Sequence, residues 1–519
     1  MDKQSAAIIT TGNWDNFYQD PTGQRQLLDA MPPLMQRARW FGGKGRTLLS
    51  VNCDHCLRLQ YQGHTFFLFI LEAVYENYEP DYYLLPLAKV ESATPESPGW
   101  ICPWQGSDGF GFIIDATFQP DFQRCIFDLL RDGKKIETNS GHLLFDRGKY
   151  LPETENYYFS INPVVEQSNS CVLYNDRFFM KIYRKLFRET NPESEMLKFL
   201  TEKGHFTHIP AYAGSLTWER KDTPPVTLAL MMQKVDARKD NWASTGDELN
   251  DFLHAFLKGS FSIHEFVFEN VALLARRTAE MHLALSHSAG VREFAPVHFD
   301  NPYRGWLFRH LQQLLDGRME MVKNNKHRLD EEALRMVEVL TKKRNLILKF
   351  FEQVNTRPLQ SLRTRIHGDY HLGQVLYTGG DFVIIDFEGE PESSITDRKI
   401  KHSPMKDVAG MIRSFHYAVC AKLYFSQEAK HRDAQGLHRA SDRWFYLIRD
   451  TFLEAYMEAI GKDTPLYHSK SEVNFLFHLH LIEKAIYELG YELNGRPDWV
   501  KIPLKGIEQV VNELEKFSE

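Results

Sequence analysis

Two neighbouring stretches decide how this chain folds: IHGDYHLGQVL at residues 366–376 and DFVIIDFE at residues 381–388. Asp369 is predicted to lie on a loop that follows a β-type segment. Gln374 comes five residues later, and the apolar run 382–385 is predicted to form a strand that ends at Asp386. The two stretches therefore present two carboxylates and one amide in a fixed order around a short strand.

These side chains suit phosphoryl transfer. That reaction needs a carboxylate that orients and deprotonates the attacking hydroxyl, and oxygen ligands that hold magnesium against the phosphates. Asp369 is the predicted base, Gln374 and Asp386 are the predicted magnesium ligands, and His371 is a candidate for contact with the reacting groups. Either stretch alone is also compatible with an ordinary turn or strand end. Their order and spacing together carry the prediction.

A lysine for the nucleotide phosphates is predicted upstream. Lys181 lies in the β-type run 178–183, and a glutamate on the following helix is expected to hold it. Glu193 and Glu195 both stand at a predicted helix start with proline near its first position. Glu195 is favoured because a later helix position reaches deeper into the fold, but both glutamates remain open.

Two further segments complete the predicted ATP site. The loop before the lysine strand lacks the glycines of protein kinases, yet its backbone N–H groups and small hydroxyls can cover phosphates. The adenine-contacting segment is expected, by its order in the chain, near residues 232–235. The residues assigned to these two roles are Ser168, Asn169, Ser170, Gln233 and Val235.

Helix and strand patterns predict an α+β chain with three domains. Residues 1–95 are interpreted as an N-terminal α/β cap domain, residues 96–235 as a strand-rich N-lobe, and residues 236–519 as a helical C-lobe. The Ser- and Pro-rich segment 91–99 is predicted to be a linker. A strand-rich part followed by a helix-rich part is the order expected of a bilobal, protein-kinase-like fold.

Composition narrows the class of protein. The 519 residues are 43% hydrophobic and carry a formal net charge of −7, which disfavours general nucleic-acid binding. The N-terminal residues lack the basic and then apolar pattern of a signal peptide. No apolar run approaches the roughly 18 residues of a membrane helix. We therefore predict a cytoplasmic protein that binds neither nucleic acid nor membrane.

The motif spacing resembles the catalytic loop and metal-binding aspartate of protein-kinase-like phosphotransferases. Gly368 stands where protein kinases have arginine, Gln374 where they usually have asparagine, and Asp-Phe-Glu replaces Asp-Phe-Gly. The missing arginine favours the small-molecule branch of that superfamily. Within that branch the chain resembles the maltokinase family in RWFGGK at 39–44, EQSNS at 166–170, HLGQ at 371–374, DFEGEP at 386–391, DVAGMIRSF at 407–415 and YELNGRPDW at 491–499.

The resemblance implies transfer of the ATP γ-phosphate to the anomeric hydroxyl of maltose, with Mg²⁺ as cofactor and trehalose synthase as a partner enzyme. A sugar site is expected to combine charged hydrogen-bonding groups with an aromatic face. The residues that fit this chemistry are Glu388, Glu390, Tyr487, Arg496 and Trp499. Asp407 and Arg413 are expected to fix the catalytic loop instead.

Two alternatives stay open at this point. The first is a kinase for an amino sugar such as glucosamine, or for an aminoglycoside, since a cationic substrate would need only a more acidic pocket. The second is a non-catalytic partner of trehalose synthase. Joint retention of Lys181, Asp369, Gln374 and Asp386 argues against the non-catalytic alternative, because a scaffold would not need all four.

Overall fold

A computed structural model describes residues 7–163, 168–425 and 434–516 of the chain. The chain divides into two compact units. Unit 1 comprises residues 1–202 and 210–235, and unit 2 comprises residues 203–209 and 236–519. Long strands concentrate in unit 1 and long helices in unit 2, so the predicted α+β class is confirmed.

The described residues of unit 1 form two sheets and three α-helices. Its helices are α1 (Pro21–Arg37), α2 (Pro120–Arg131) and α3 (Pro192–Glu202). The strands of its first sheet are β1 (Ile8–Ile9), β2 (Leu48–Tyr61), β3 (His64–Tyr75), β4 (Tyr78–Val90), β5 (Trp100–Gly106), β6 (Gly109–Asp115) and β12 (Lys185–Leu186). The strands of its second sheet are β7 (Lys135–Thr138), β8 (Gly141–Arg147), β9 (Ser160–Ile161), β10 (Ser170–Tyr174), β11 (Phe178–Ile182), β13 (Tyr212–Glu219) and β14 (Val226–Gln233).

The first sheet has the order β1-β5-β6-β4-β3-β2, with β12 paired to β4. Helix α1 buries Leu27, Met31 and Met35, which recur every four residues and so share one helix face, in a core with Phe67 and Phe69 of β3. Strands β5 and β6 lie in the same sheet as β2–β4. The segment 91–99 is therefore a loop within one sheet, and this sheet continues past the predicted cap boundary at residue 95.

The second sheet has the order β7-β8-β13-β14-β11-β10-β9, and its neighbouring strands are antiparallel. The lysine strand β11 lies inside it, where Lys181 is opposite Cys171 of β10 and Leu230 of β14. Because β11 is paired on both sides, its backbone is fixed, and Lys181 projects from a rigid element.

Unit 2 is mainly helical. Its helices are α4 (Asn241–Leu257), α5 (Glu265–Ser286), α6 (Asn301–Asn325), α7 (Glu331–Thr356), α8 (Ile395–Arg398), α9 (Met405–Phe425), α10 (Ala434–Ile460), α11 (Lys470–Gly495) and α12 (Lys501–Lys516). Asp330 caps α7, where its carboxylate accepts a hydrogen bond from the Ala333 N–H at 2.8 Å. In the described ranges, no helix combines the length and hydropathy needed to cross a membrane.

Short strands of unit 2 lie in and beside the two motif stretches, residues 366–376 and 381–388. Strands β15 (Lys239–Asp240), β18 (Val375–Tyr377) and β19 (Phe382–Ile384) form one small sheet, and β16 (Val297–His298) pairs with β17 (Leu362–Arg363). The loop with Asp369 runs from β17 to β18. The hairpin of β18 and β19 then brings Asp386 back beside the end of that loop.

Candidate active site

One buried carboxylate holds the loop of Asp369. Asp407, near the start of α9, accepts hydrogen bonds from the backbone N–H groups of His367 at 2.7 Å and Gly368 at 2.9 Å. The same carboxylate lies 3.1 Å from Nε2 of His282. Burial opposes its ionisation, but the hydrogen bond with His282 and the neighbouring charges lower the pKa of Asp407. Asp407 is 1% exposed, and its two hydrogen bonds to the backbone anchor the loop, as we expected from the sequence.

Two glycines are required by the backbone of this site. Gly368 has a φ of +89°, a conformation that residues with a side chain rarely adopt. Gly410 of α9 lies so close to the loop that a Cβ atom there would be 2.7 Å from the carbonyl oxygen of Tyr370. The loop conformation thus explains why glycine, and not arginine, precedes Asp369.

Asp369 is held by a lysine from a distant helix. Its Oδ1 accepts a hydrogen bond from Nζ of Lys484 on α11 at 3.1 Å, and its Oδ2 lies 3.8 Å from Nε2 of His371. Burial alone would raise the pKa of the carboxyl group, but Lys484 and then His371 lower the pKa of Asp369 below its ordinary value. Burial also lowers the pKa of His371. The carboxylate is therefore ionised at neutral pH.

Sequence reasoning missed Lys484. The lysine also donates a hydrogen bond to Oε1 of Glu390 at 2.8 Å, and its ammonium lies 4.7 Å from the ring centre of Tyr487. One signal was available, because Lys484 precedes Tyr487 by three residues and so shares its helix face. Its pairing with Asp369, 115 residues away, has no sequence signature.

The two predicted metal ligands contact each other. Nε2 of Gln374 donates a hydrogen bond to Oδ2 of Asp386 at 2.9 Å, which leaves the amide oxygen Oε1 to act as a ligand. Asp386 has a φ of +67°, a costly conformation for a residue other than glycine. Carboxylate and amide oxygens are the donors that magnesium prefers, so this pair fits Mg²⁺.

In unit 1, Lys181 pairs with Glu193 and not with Glu195, the glutamate that the sequence analysis favoured. Nζ of Lys181 lies 2.8 Å from Oε1 and 3.0 Å from Oε2 of Glu193, and the hydroxyl of Tyr183 donates to Oε2 at 2.9 Å. Glu193 is therefore the glutamate observed on Lys181, in place of Glu195. Both glutamates lie in the first turn of α3, but Glu193 is 1% exposed and faces the lysine strand, whereas Glu195 is half-buried.

The predicted phosphate-covering segment is supported by a buried arginine of the same unit. Nε of Arg184 donates to the Ser170 hydroxyl at 2.7 Å, and the Asn169 side chain accepts from the Arg184 backbone N–H at 3.4 Å. Ser168 begins the described part of this segment; residues 166 and 167, which carry part of the resemblance, lie outside the described residues.

The predicted adenine-contacting residues lie at the end of unit 1. Gln233 closes β14, and its backbone N–H donates to the carbonyl oxygen of Ala211 at 2.8 Å. Val235 is half-buried in the irregular segment that follows. Their contact with a nucleotide stays a prediction.

Asp369 opens onto a cavity of about 630 Å³ within unit 2, here named the aromatic cavity. Its aromatic lining consists of Trp242, Tyr417, Tyr487, Tyr491 and Trp499. Its carboxylates are Asp240, Asp369, Glu392, Glu488 and Glu492, and its cationic side chains are Lys484 and Arg496. His371 also lines it. The lining therefore offers aromatic surface together with more carboxylates than cations.

A second cavity of about 210 Å³, the charged cavity, shares Lys484 and Tyr487 with the first. Its wall includes Glu390, Arg318, His310, Lys406, His480 and Glu483. Glu483 is 4% exposed and bonds Lys406 at 2.8 Å and His480 at 2.7 Å. The ion pair with Lys406 and the contact with His480 give the cavity a rigid polar wall.

The structure brings four of the five predicted sugar residues to these cavities. Glu390 lines the charged cavity, Arg496 and Trp499 line the aromatic cavity, and Tyr487 lines both. Glu388 lies two residues before Glu390, where its carbonyl oxygen accepts a hydrogen bond from Arg398 at 3.4 Å. It is not among the residues that line either cavity.

Two side chains have contacts that their predicted roles do not include. The Trp499 ring stacks on the Phe425 ring at 4.4 Å and lies 4.4 Å from the Arg496 guanidinium. These contacts cover part of the ring, and its stacking on a sugar stays a prediction. Arg413 does not contact the catalytic loop in the described structure, because it pairs with Glu488 of α11 and His416 of its own helix.

Comparison with known proteins relates this geometry to a known fold. None of the known protein-family models matches the chain. A glucosamine kinase of Streptacidiphilus jiangxiensis is 22% identical over 347 residues, which are 66% of this chain and 70% of that protein. A glucosamine kinase of Mycolicibacterium smegmatis is 32% identical over 149 residues, which are 28% of this chain and 34% of that protein.

Solved structures extend the likeness along the chain. A glucosamine kinase in complex with glucosamine, ADP and inorganic phosphate superimposes with a TM-score of 0.67 at 17% identity, over 96% of this chain and 100% of that one. A second crystal form of a glucosamine kinase also gives a TM-score of 0.67. The predicted kinase fold is thus confirmed, and the chain shares it with glucosamine kinase over nearly its whole length.

Proposed function

We propose that this chain transfers the γ-phosphate of Mg-ATP to a hydroxyl group of a small sugar, and that the sugar is an amino sugar of the glucosamine type. The observation that carries the proposal is the placement of Asp369. This ionised carboxylate lines an aromatic and carboxylate-rich cavity, and the Gln374–Asp386 pair follows it in the same unit. The glucosamine kinase fold of the chain supports the same class of reaction.

Each residue has a role in the proposed reaction. Asp369 orients the sugar hydroxyl and takes its proton as the oxygen–phosphorus bond forms and the bond from phosphorus to ADP breaks. Lys181, held by Glu193, contacts the nucleotide phosphates. Gln374 and Asp386 would hold magnesium through oxygen atoms. Bound magnesium supplies positive charge against the phosphates.

The charge of the aromatic cavity favours an amino sugar. Five carboxylates and two cationic side chains line it. Four of those carboxylates have a cationic partner, and among the described residues no ion pair involves the fifth, Asp240. The pairs are Asp369 with Lys484, Glu392 with Arg318, Glu488 with Arg413 and Glu492 with Arg496. An excess of carboxylates attracts a protonated amine and does not repel a neutral sugar. The two sequence relatives named above are glucosamine kinases, in agreement with this acceptor.

Maltose is the second candidate acceptor. The motifs shared with the maltokinase family favour it. The aromatic cavity of about 630 Å³ also lies within the range of about 300–1,000 Å³ that holds larger ligands. In that case the product would be maltose 1-phosphate, trehalose synthase would be a natural partner, and the reaction would take place in the cytoplasm, where ATP is available.

Product analysis with a panel of acceptors tests the proposal. The purified chain is incubated with Mg-ATP and glucosamine, glucose, maltose, trehalose or an aminoglycoside, and products are identified by mass and by phosphorus NMR. Preferred turnover of glucosamine is the expected result. Preferred turnover of maltose would keep the reaction and change the acceptor. Nucleotide binding without turnover of any acceptor would contradict the proposal and favour a non-catalytic role.

A further inference from the structure

We propose that Lys484 is a positioning residue for the phosphoryl transfer: it holds one oxygen of Asp369 and leaves the other to accept the proton of the sugar hydroxyl. This inference rests on the proposed function, in which Asp369 is the base. The contact is direct, since Nζ of Lys484 donates to Oδ1 of Asp369 at 3.1 Å. Oδ2 lies on the side of His371, and Asp369 and His371 both line the aromatic cavity.

A second carboxylate fixes the lysine itself. Glu390 accepts a hydrogen bond from Nζ at 2.8 Å, so the ammonium lies between two carboxylates. The ring of Tyr487 lies 4.7 Å away and adds a cation–π contact. With three contacts and only 18% of its side chain exposed, Lys484 has little freedom to change rotamer. Because the ammonium group is fixed, its hydrogen bond also restricts the orientation of the Asp369 carboxylate.

The electrostatic effect of Lys484 has a definite sign. The charged and titratable groups that face Asp369 are Lys484 on α11, Arg398 on α8, Glu390 and Tyr487, and His367 and His371 on its own loop. Burial raises the pKa of Asp369, and Lys484 is the largest influence that opposes burial. Without the ammonium, burial dominates, and the carboxyl group would take up a proton at a higher pH.

A lysine with matched surroundings provides the control. Lys501 on α12 is 17% exposed, bonds the carboxylates of Asp330 at 2.8 Å and Glu332 at 3.0 Å, and lies 5.4 Å from an aromatic ring. It therefore has a similar side-chain exposure and the same partner types as Lys484, although its carboxylate partners are more exposed, and it does not contact Asp369. A substitution of Lys501 removes the same kind of interaction away from the proposed base.

The test compares Lys484→Met, Lys484→Arg and Lys501→Met in the full-length protein. For Lys484→Met we expect kcat to fall by about 10²-fold, as for a misplaced catalytic group. We also expect the acid limb of the pH profile of kcat to move to higher pH. Lys484→Arg keeps the charge and should restore the acid limb, while Lys501→Met should leave both quantities unchanged. A structural role alone would lower the melting temperature without moving the acid limb, and that result would overturn the proposal.

A measurement without turnover separates this inference from the proposed function. Carbon-13 NMR of protein labelled at the aspartate carboxyl carbon follows the titration of Asp369, which is assigned by the loss of its signal in Asp369→Asn. In Lys484→Met the titration should move to higher pH. If no sugar is phosphorylated by the unmodified protein, the proposed function fails. An unchanged titration would overturn the role of Lys484 whether or not a sugar is turned over.

Discussion

Each unit of this protein contains a lysine whose ammonium group is paired with glutamate or aspartate carboxylates. The two clusters differ in the distance along the chain between their members. In unit 1, Lys181 meets Glu193 twelve residues later, across one strand and one helix start. In unit 2, Lys484 meets Asp369 and Glu390 across 115 and 94 residues. The first cluster is a local motif, whereas the second exists only because α11 packs beside the catalytic loop.

We expect the two clusters to serve different steps, one nucleotide binding and the other the chemical step. The local pair at Lys181 is expected to serve the nucleotide, so its loss should mainly raise KM for ATP. The long-range cluster at Asp369 is expected to serve the chemical step, so its loss should mainly lower kcat. Substitutions in the two clusters should therefore separate the two kinetic constants.

The largest effect is expected for Asp369→Asn. The amide cannot take the proton of the sugar hydroxyl, so kcat should fall by about 10²–10⁴-fold, while nucleotide binding stays nearly unchanged. Steady-state kinetics and calorimetry with ATP measure the two quantities. An unchanged kcat would exclude Asp369 as the base. It would also contradict the assignment of the Lys484 cluster to the chemical step.

A smaller effect is expected for Asp386→Ala. Loss of this carboxylate removes a predicted magnesium ligand and the partner of the Gln374 amide. Nucleotide binding in the presence of magnesium should weaken by about 10²-fold, while binding with the metal removed by a chelator should match that of the unmodified protein. Calorimetric titrations with and without magnesium test this. Identical titrations of variant and unmodified protein would reject the metal role.

The sequence predicted the fold class and the local motifs because these depend on short-range patterns. Helix and strand patterns separated the strand-rich part of the chain from the helix-rich part, in agreement with the strands of unit 1 and the helices of unit 2. The loop-to-strand spacing placed Asp369, Gln374 and Asp386 in order.

Long-range features were not accessible in the same way. The surroundings of Lys484, the two cavities and the contacts of Trp499 depend on which helices pack together, and a single sequence carries no record of that. The choice between Glu193 and Glu195 failed for a smaller reason. Both glutamates lie in the first turn of α3, and the fully buried one, Glu193, contacts Lys181.

The two neighbouring glutamates, Glu193 and Glu195, allow a matched pair of variants within unit 1. Glu193→Gln should raise KM for ATP by about tenfold, because a charge-assisted hydrogen bond to Lys181 is weakened. Glu195→Gln removes the same charge two residues later and should change KM by less than about twofold. Steady-state kinetics at varied ATP concentration measures both. Equal effects of the two substitutions would contradict the pairing with Glu193.

The smallest effects are expected in the aromatic cavity, outside both clusters. Tyr491 is 55% exposed there, so its ring is available to a sugar, whereas the Trp499 ring already contacts Phe425 and Arg496. Tyr491→Ala should raise KM for the sugar by about three- to tenfold without a change in kcat or in KM for ATP. Trp499→Ala should instead lower the free energy of unfolding by about 1–2 kcal/mol.

Sugar-dependent kinetics and thermal denaturation distinguish these two aromatic residues. If Trp499→Ala raises KM for the sugar more than Tyr491→Ala does, at equal stability, the ring of Trp499 takes part in sugar binding beside its contacts with Phe425 and Arg496. The opposite order would show that the exposed ring of the cavity recognises the acceptor. Either order leaves Lys484 to act on the base, because neither aromatic residue contacts Lys484 in the described structure.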